Sequence, residues 1–549
     1  MNALLCCLAL SGVYDEKYLS WVTEPPTVSA LPASAGQRLT VAELSDLETV
    51  PPTLPFAKPT AGVRAPDGTL WVGSKQGLMY LTAGATRWRV IHSRRWLPDD
   101  DVQDLSVSAS GEIIVKTPAG LGTLRRQETT LEQKMAEINQ TLQKYHLRGG
   151  MVGEIHLQEP GRLDAGHRQY TNDNDGLWTS LYVAAESFRY GTTGDPEAKK
   201  NARRSLEALM FLERITGIPG FVARSVVPID DDARKYGGEW HRSADGKWWW
   251  KGDTSSDEVD GHFFAYSIYY DTAADDAEKK EIAEYVTRIT DHIIDHGFYY
   301  VGPPGQPTTW GVWAPESLNH DLRRLGDRGL NSLELLSHLK VAERLTGNPR
   351  YAQVAKELID KHSYATNTVL QKNVWPPDRV NHSDDELAFV AYYPLVIAER
   401  DPLLRKYYMA SIRRTWHIER PEHSPFFNFI YAAGLQANKW TDPAKRPDAA
   451  LVDPQEYDLA ACIEWFRDVP QDTTEWVVKN SDRRDIVISL VNRAGHPAGD
   501  TVLPIAERRV MKWNGDPYTL DGGNGGRGRD DGTFILLPYW MGRYHRFLD

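Results

Sequence analysis

Five short segments of this chain concentrate carboxylates, amides, imidazoles and aromatic rings: Asn172–Trp178, Thr254–Phe264, Trp313–His320, Asn381–Leu387 and His423–Asn428. The richest stretch, Asp253–Tyr266, sets Asp257 beside Glu258 and repeats Glu258, His262 and Tyr266 at i, i+4 and i+8, the spacing of one helix face. A carboxyl, an imidazole and a phenol on one stripe supply proton donors and acceptors over a wide pH range. The run Asn172-Asp173-Asn174-Asp175 places four polar residues where a helix N-cap needs one. Asp175, and after it Asp173, is left for other work. The candidate catalytic residues are therefore Asp175, Asp257, Glu258, His262 and Tyr266. So many short acids beside Trp, Phe and Tyr suit a sugar-binding cleft, because an indole or phenol ring offers a large apolar face with a polar handle.

Substrate-binding candidates surround these groups. They are Asn172, Asp173, Trp178 and Arg224, then Trp249, Trp310, Trp313, Asn319 and His320, and finally His382 and Asp384. Trp248-Trp249-Trp250 and the Trp240-His241 pair read as a stacking wall. Asn331–Glu334 and Ser383–Glu386 fit the capping-box pattern. His423, Asn428 and Tyr431 form a weaker fifth group.

Elements must hold these clusters in place, and the sequence specifies them unevenly. Residues 20–60 are rich in Pro, Ala, Ser and Thr and read as an extended linker. Two β-patterned units follow, Asp67–Tyr80 and Gly111–Gly122, each a strand, a turn and a strand. From Glu128 the period becomes 3.6. Leu131, Met135, Ile138 and Leu142 share one face of the first helix, and about ten further helical patterns run to residue 467. The clusters open roughly every second helix, which puts them on one rim. The expected organisation is a signal-like segment at 1–20, a linker and small β-module at 21–127, an all-α domain at 128–470, and a β-rich C-terminal cap at 471–549. The fold class expected is mainly α.

Composition narrows the function. The chain has 549 residues with 18 Trp and 25 Tyr, and a formal net charge of −12. No basic footprint for nucleic acid exists. Three Cys, two of them in the Ala3–Val13 apolar run, build neither a disulfide framework nor a thiolate metal site. That run is read as a truncated secretion signal in preference to a first strand, which points to a secreted or periplasmic protein. No stretch reaches the ~20 apolar residues of a membrane span. His292 and His296 are spaced i, i+4 but sit where a helix ends, where imidazoles complement the dipole. The Gly522–Gly532 loop lacks the Lys and helix of a phosphate loop, and no nucleophile elbow occurs. Neither metal nor cofactor is expected. The oligomeric state is not read from the sequence.

The helical hairpin rhythm, the acidic clusters at helix starts, and the phrases Asp173-Asn-Asp-Gly-Leu-Trp178 and Asp257-Glu-Val-Asp-Gly-His262 resemble the six-hairpin (α/α)-toroid carbohydrate-active enzymes, over residues 130–467. That superfamily includes uronyl hydrolases and toroidal polysaccharide lyases. The two β-units resemble repeats of regulator-type β-propellers, over about 60 residues; two repeats do not close a propeller, which needs at least four blades. The toroid resemblance implies cleavage of a poly- or oligosaccharide containing uronic acid. Hydrolysis would use Asp175 with Asp257 or Glu258. β-Elimination would use Asn172 or Asn319 and His262 or His320, with Tyr266 as base or acid and Arg224 on the substrate carboxylate. A non-catalytic glycan-binding protein is the third alternative. The number of clustered carboxylates favours hydrolysis.

Overall fold

The computed structural model of the chain describes residues 12–27, 30–371, 381–440 and 445–549. Residues 3–11 of the signal-like run, with Cys6 and Cys7, lie outside the described residues. The chain divides into two compact units.

The first unit comprises residues 1–137, 156–168 and 464–530. Two antiparallel sheets dominate its N-terminal part. One has the strand order 18–27, 120–129, 113–117, 104–107, and the other 37–38, 61–64, 70–74, 77–81, 89–91. Both β-patterned units form the hairpins expected of them, Leu70–Ser74 with Gly77–Leu81 and Ile113–Thr117 with Gly120–Thr129. Val63, Trp71, Leu78, Val102, Leu105, Val115 and Leu124 are their common core. The propeller resemblance is not confirmed. Residues 20–60 are also more ordered than a linker. Tyr18–Thr27 is a sheet strand, and helix α1 (Val41–Leu47) opens on a Thr40–Glu43 capping box. Its Leu44 and Leu47 pack on a second small core, a local capping signal that the Pro-rich composition hid. Helix α2 (Leu131–Tyr145) crosses from this unit into the next. It buries the expected face, Leu131, Met135, Ile138 and Leu142.

The second unit is an (α/α) toroid. Its helices in chain order are α3 (Asp175–Thr193), α4 (Pro196–Arg214), α5 (Ser256–Thr272), α6 (Asp276–Asp295), α7 (Pro315–His320), α8 (Arg328–Thr346), α9 (Pro349–His362), α10 (Tyr364–Val369), α11 (His382–Ala398), α12 (Pro402–Glu419), α13 (Pro425–Ala437) and, after α14 (Leu459–Asp468), α15 (Thr533–Tyr544). Six of them touch in a closed circuit. α3 packs on α5, α5 on α8, α8 on α11, α11 on α13, α13 on α15, and α15 on α3. The outer layer follows: α4 covers α3, α6 lies against α5 and α8, α9 against α8, and α12 against α11 and α13.

The sequence explains which helices are inner. α5 buries 13 of its 17 residues, so it has no polar face to give to water. α4 buries Ala198, Ala202, Leu206 and Leu209 along one stripe and keeps Glu197, Lys200, Arg204 and Arg214 exposed. The C-terminal part differs from the expectation: residues 464–530 cluster with the first unit. Thr533–Tyr544, read as the end of a β-rich cap, is a helix and completes the inner ring. Its run Phe534-Ile-Leu-Leu-Pro-Tyr-Trp is apolar on every side, and such a run cannot be told from a buried strand by periodicity.

Candidate active site

The first turns of the inner helices carry most of the acidic clusters, and α3 and α5 approach most closely there. Small residues make that possible. A Cβ on Gly176 would lie 1.9 Å from the Glu258 Oε2, and one on Gly261 would lie 2.7 Å from the Ser180 Oγ and 2.9 Å from the Leu177 Cα.

The two sides of α5 then differ in their surroundings. Glu258, His262 and Tyr266 do share a face, but it packs against neighbouring helices: Glu258 on the start of α3, His262 on α4 and Tyr266 on α6. His262 is fully buried, with Nδ1 2.6 Å from the Glu258 carbonyl and Nε2 3.2 Å from the Leu209 carbonyl of α4. Burial lowers its pKa. Tyr266 is fully buried, its hydroxyl has no hydrogen-bond partner among the described residues, and its ring meets those of His262 and of Tyr285 on α6. Glu258 accepts one long bond, 3.4 Å, from the Leu177 amide, and burial pushes its pKa well up. All three candidates are fully buried in helix packing. The i, i+4, i+8 spacing identifies a face, but not which neighbour the face meets.

The inner side of α5 carries Asp257 and, one turn on, Asp260. Asp257 is half-buried, accepts from the Asn174 side chain at 2.9 Å, and has its pKa raised by burial against the pull of Arg224 and Asn174. Asp260 is fully buried and shares a 3.2 Å hydrogen bond with His338 of α8. Its pKa is pushed well up by burial and by the charges of Glu334, Asp257 and Glu386. Glu334 of α8 accepts from the Trp313 indole at 2.8 Å and is pushed up to about 8 by burial and by Asp257 and Asp384. Five carboxyls on α5, α8 and α11 thus lie within each other's fields. His338 stays neutral, driven down to about 3 by burial.

Asp260, Glu334, His338 and Glu386 are the residues that sequence reasoning missed. Glu334 and Glu386 had been assigned to capping boxes. In the structure α8 is capped at Asp327 and α11 at Asn381, neither with a side-chain cap bond. Both glutamates lie well inside their helices and are fully buried. A Glu inside an apolar helical run was the available signal, since full burial of a carboxyl is rare.

Asp175 is also placed differently from its expected role. It is buried, with Oδ2 accepting from Arg148 at 2.6 Å and from the Ser225 hydroxyl, and Oδ1 from the Asn172 amide at 3.2 Å. Both oxygens are committed to holding the α3 entry loop. Asp173 stays on the rim, its side chain largely exposed and paired with buried Lys251, which keeps it ionised with a lowered pKa. Arg224 ties the rim together. It donates to the Asp173 carbonyl at 2.6 Å, the Asn174 side chain at 2.9 Å and the Asp253 carbonyl at 3.2 Å. Asp253 in turn accepts from the Thr309 amide and hydroxyl at 2.7 and 3.0 Å.

The binding candidates divide. Trp310 remains 52% exposed with Arg324 over its ring, and Trp178 and Trp249 are half-buried. Trp313 is fully buried and serves Glu334 and Tyr364, so it is core. Asn319 bonds the His362 carbonyl and Asn367, which makes it a structural tie, while His320 is exposed. Asn428 is buried against Trp416 and Cys462. Of the proposed Trp wall, Trp250 packs inward on Phe221 and His241. A different aromatic group flanks Asp173: Tyr170, Tyr236 and Trp240, with ring centroids 6.2 and 6.1 Å apart and Lys251 over Trp240.

His292 and His296 bond backbone carbonyls instead of facing a shared ligand. Among the described residues, His382, Asp385 and Glu419 bring potential ligand atoms within 4.8 Å of one another, a spacing that suits a cation. No helix among the described residues is long and apolar enough to cross a membrane.

Several solved structures are similar in outline. The unsaturated glucuronyl hydrolase from Bacillus sp. GL1 aligns at 13% identity and a TM-score of 0.37, covering 76% of this chain and 96% of that one. An α-1,6-mannanase from Salegentibacter sp. HEL1_6 aligns at 10% and 0.39, covering 76% and 100%. The polysaccharide lyase BACCELL_00875 aligns at 12% and 0.26, covering 72% and 58%. No family model matches the chain, and a search of curated proteins gives no match. Likeness at this level carries no argument about chemistry, so substrate and mechanism rest on the geometry above.

Proposed function

We propose that the protein is a carbohydrate-active enzyme that hydrolyses glycosidic bonds at the N-terminal rim of the toroid. The observation that carries this reading is a pair of rim carboxyls whose surroundings push them apart: Asp257 upward by burial, Asp173 downward by Lys251. Asn174 links them, donating to Asp257 and lying next to Asp173 under the same Arg224. Opposed displacement of two carboxyls separates acid from base at one pH. Asp257, protonated, donates to the leaving glycosidic oxygen as the C–O bond breaks. Asp173, ionised, activates water or attacks the sugar.

Tyr170, Tyr236, Trp240, Trp178 and Trp310 supply ring faces for the sugar, and Asn172, Asp384 and His382 supply hydrogen bonds. A uronic acid fits beside Lys251 and Arg224, which make a uronate-containing glycan the substrate class. β-Elimination is less well supported, since His262 and Tyr266 sit behind α5 without access to a cleft. The expected setting is outside the cytoplasm.

The test is incubation with neutral and uronate-containing polysaccharides. The expected result is new reducing ends without the ultraviolet absorbance of an unsaturated uronate, lost in both Asp257→Asn and Asp173→Asn. Absorbance with each cut would replace hydrolysis by elimination. Binding without cleavage would make the rim a glycan-binding surface.

A further inference from the structure

The inner helices have a second set of ends. A cavity of about 520 Å³ opens where α3, α5, α8 and α11 finish and α15 gives way to His545. Its lining includes Ile268, Asp271 and Thr272 on the last turn of α5 and Lys340, Glu343 and Arg344 near the end of α8. On α5, Asp257 and Asp271 are separated by 14 residues, about 21 Å along the axis. The cavity is therefore at the other mouth of the toroid and shares no residue with the acidic rim.

Its chemistry is unlike that of the rim. Two of its cations have carboxylate partners: Arg344 donates to Asp271 at 2.6 Å and to the Ser267 hydroxyl at 2.8 Å, and Lys340 donates to Glu343 at 2.8 Å and lies 3.4 Å from Glu399. Arg400 donates to the Ile397 and Glu399 carbonyls. Paired in this way, the charges present a mixed array of donors and acceptors with little net field. Trp440 and Tyr544, both half-buried, bring ring surface to the same walls, with Tyr393 and Phe188 behind them. Aromatic faces alternating with planar ionic pairs recognise a ligand that is apolar on its C–H faces and rich in hydroxyls at its edge. The volume lies within the ~300–1,000 Å³ of small-ligand sites.

We infer that the far mouth of the toroid is a second binding site, for a neutral sugar of one or two rings, remote from the acidic rim. Lys340 and Arg344 already hold carboxylates, so an anionic ligand would have to break an ion pair to reach them. A neutral saccharide meets the ion pairs with hydroxyls and lays a C–H face on Trp440.

Calorimetric titration of the full chain with cellobiose tests this, alongside wild-type circular dichroism as a check on folding. Trp440→Ala removes the ring wall, and Ala398→Phe fills the cavity from the end of α11. The expected result is saturable binding that weakens at least about tenfold in both variants, by analogy with loss of one stacking ring, and persists in Asp257→Asn. Turnover of polysaccharide by the two far-mouth variants should stay within about twofold of wild type, so failure of this site and failure of the rim chemistry are read separately. Absence of cellobiose binding, or binding unchanged by Ala398→Phe in a folded protein, overturns the proposal. So does binding lost in Asp257→Asn, which would place the sugar at the rim.

Discussion

The two ends of the inner helices handle charge in opposite ways. At the C-terminal mouth Arg344 meets Asp271 and Lys340 meets Glu343, so these charges are cancelled locally. At the N-terminal rim Asp257, Asp260, Glu334, Asp384 and Glu386 repel one another, and Arg224 is the cation that pulls on Asp257. Helix N-termini soften this, since their partial positive charge favours acids. The remaining cost appears as the raised pKa values of Asp260 and Glu334. The proposed proton chemistry sits among these acids and not at the other mouth.

That contrast is breakable in several ways, the largest first. Asp257→Asn should reduce kcat by about 10²–10⁴-fold, the usual contribution of a positioned proton donor, with unchanged circular dichroism. Asp271→Asn at the other mouth should leave kcat within about twofold. Equal losses at both ends would remove the distinction.

Gly176→Ala should destabilise the toroid by about 1–3 kcal/mol, the usual cost of overpacking, because its methyl would enter the space of the Glu258 carboxyl. Urea unfolding measures it. Gly176→Ala combined with Glu258→Ala should recover part of the loss.

The pH dependence of stability sharpens the contrast further. Glu334 has an ordinary pKa of 4.5 and one of about 8 in the fold. Between those values the native state keeps a proton that the unfolded chain has released, so stability falls as pH rises from about 5 to 8. The slope from this one group is at most about 1.4 kcal/mol per pH unit. His338 has the opposite sign. It is held neutral in the fold down to about 3, so its contribution is lost as pH falls below 6.5. Thermal unfolding of Glu334→Gln across that range should show a flatter alkaline limb than wild type.

The smallest effect is expected at Tyr266→Phe. Its hydroxyl has no partner to lose, so kcat should change by less than about twofold and stability by under about 1 kcal/mol. Abolished turnover would instead restore the tyrosine to the chemistry.

The helices and their inner or outer placement were legible because 3.6-residue periodicity and its absence report burial directly. Pro349–His362 falls where its Pro and Gly signals place it. The acidic clusters were legible as clusters. Their orientation was not. Asp257 and Glu258 are adjacent in sequence, about 100° apart around α5, yet one is half-buried and the other fully buried. Glu334 was hidden by its likeness to a capping residue, although its helix begins six residues earlier at Arg328. Asp175 was obscured by Arg148, a partner 27 residues away that no local pattern indicates. Charge partners distant in sequence decide which acids are free to react.

The ring closes through α15, which begins at Thr533 and packs on α3, which begins at Asp175. During synthesis five inner helices therefore emerge while the seam between α13 and α3 stays open. Apolar surface on Phe188 and Phe429, later covered by Tyr544 and Phe547, is exposed for that whole interval. Long-range closure of this kind is slow and leaves intermediates open to aggregation. Expression of this protein should accordingly be more sensitive to chaperone supply, and to substitutions in the last helix, than the stability of the finished ring suggests.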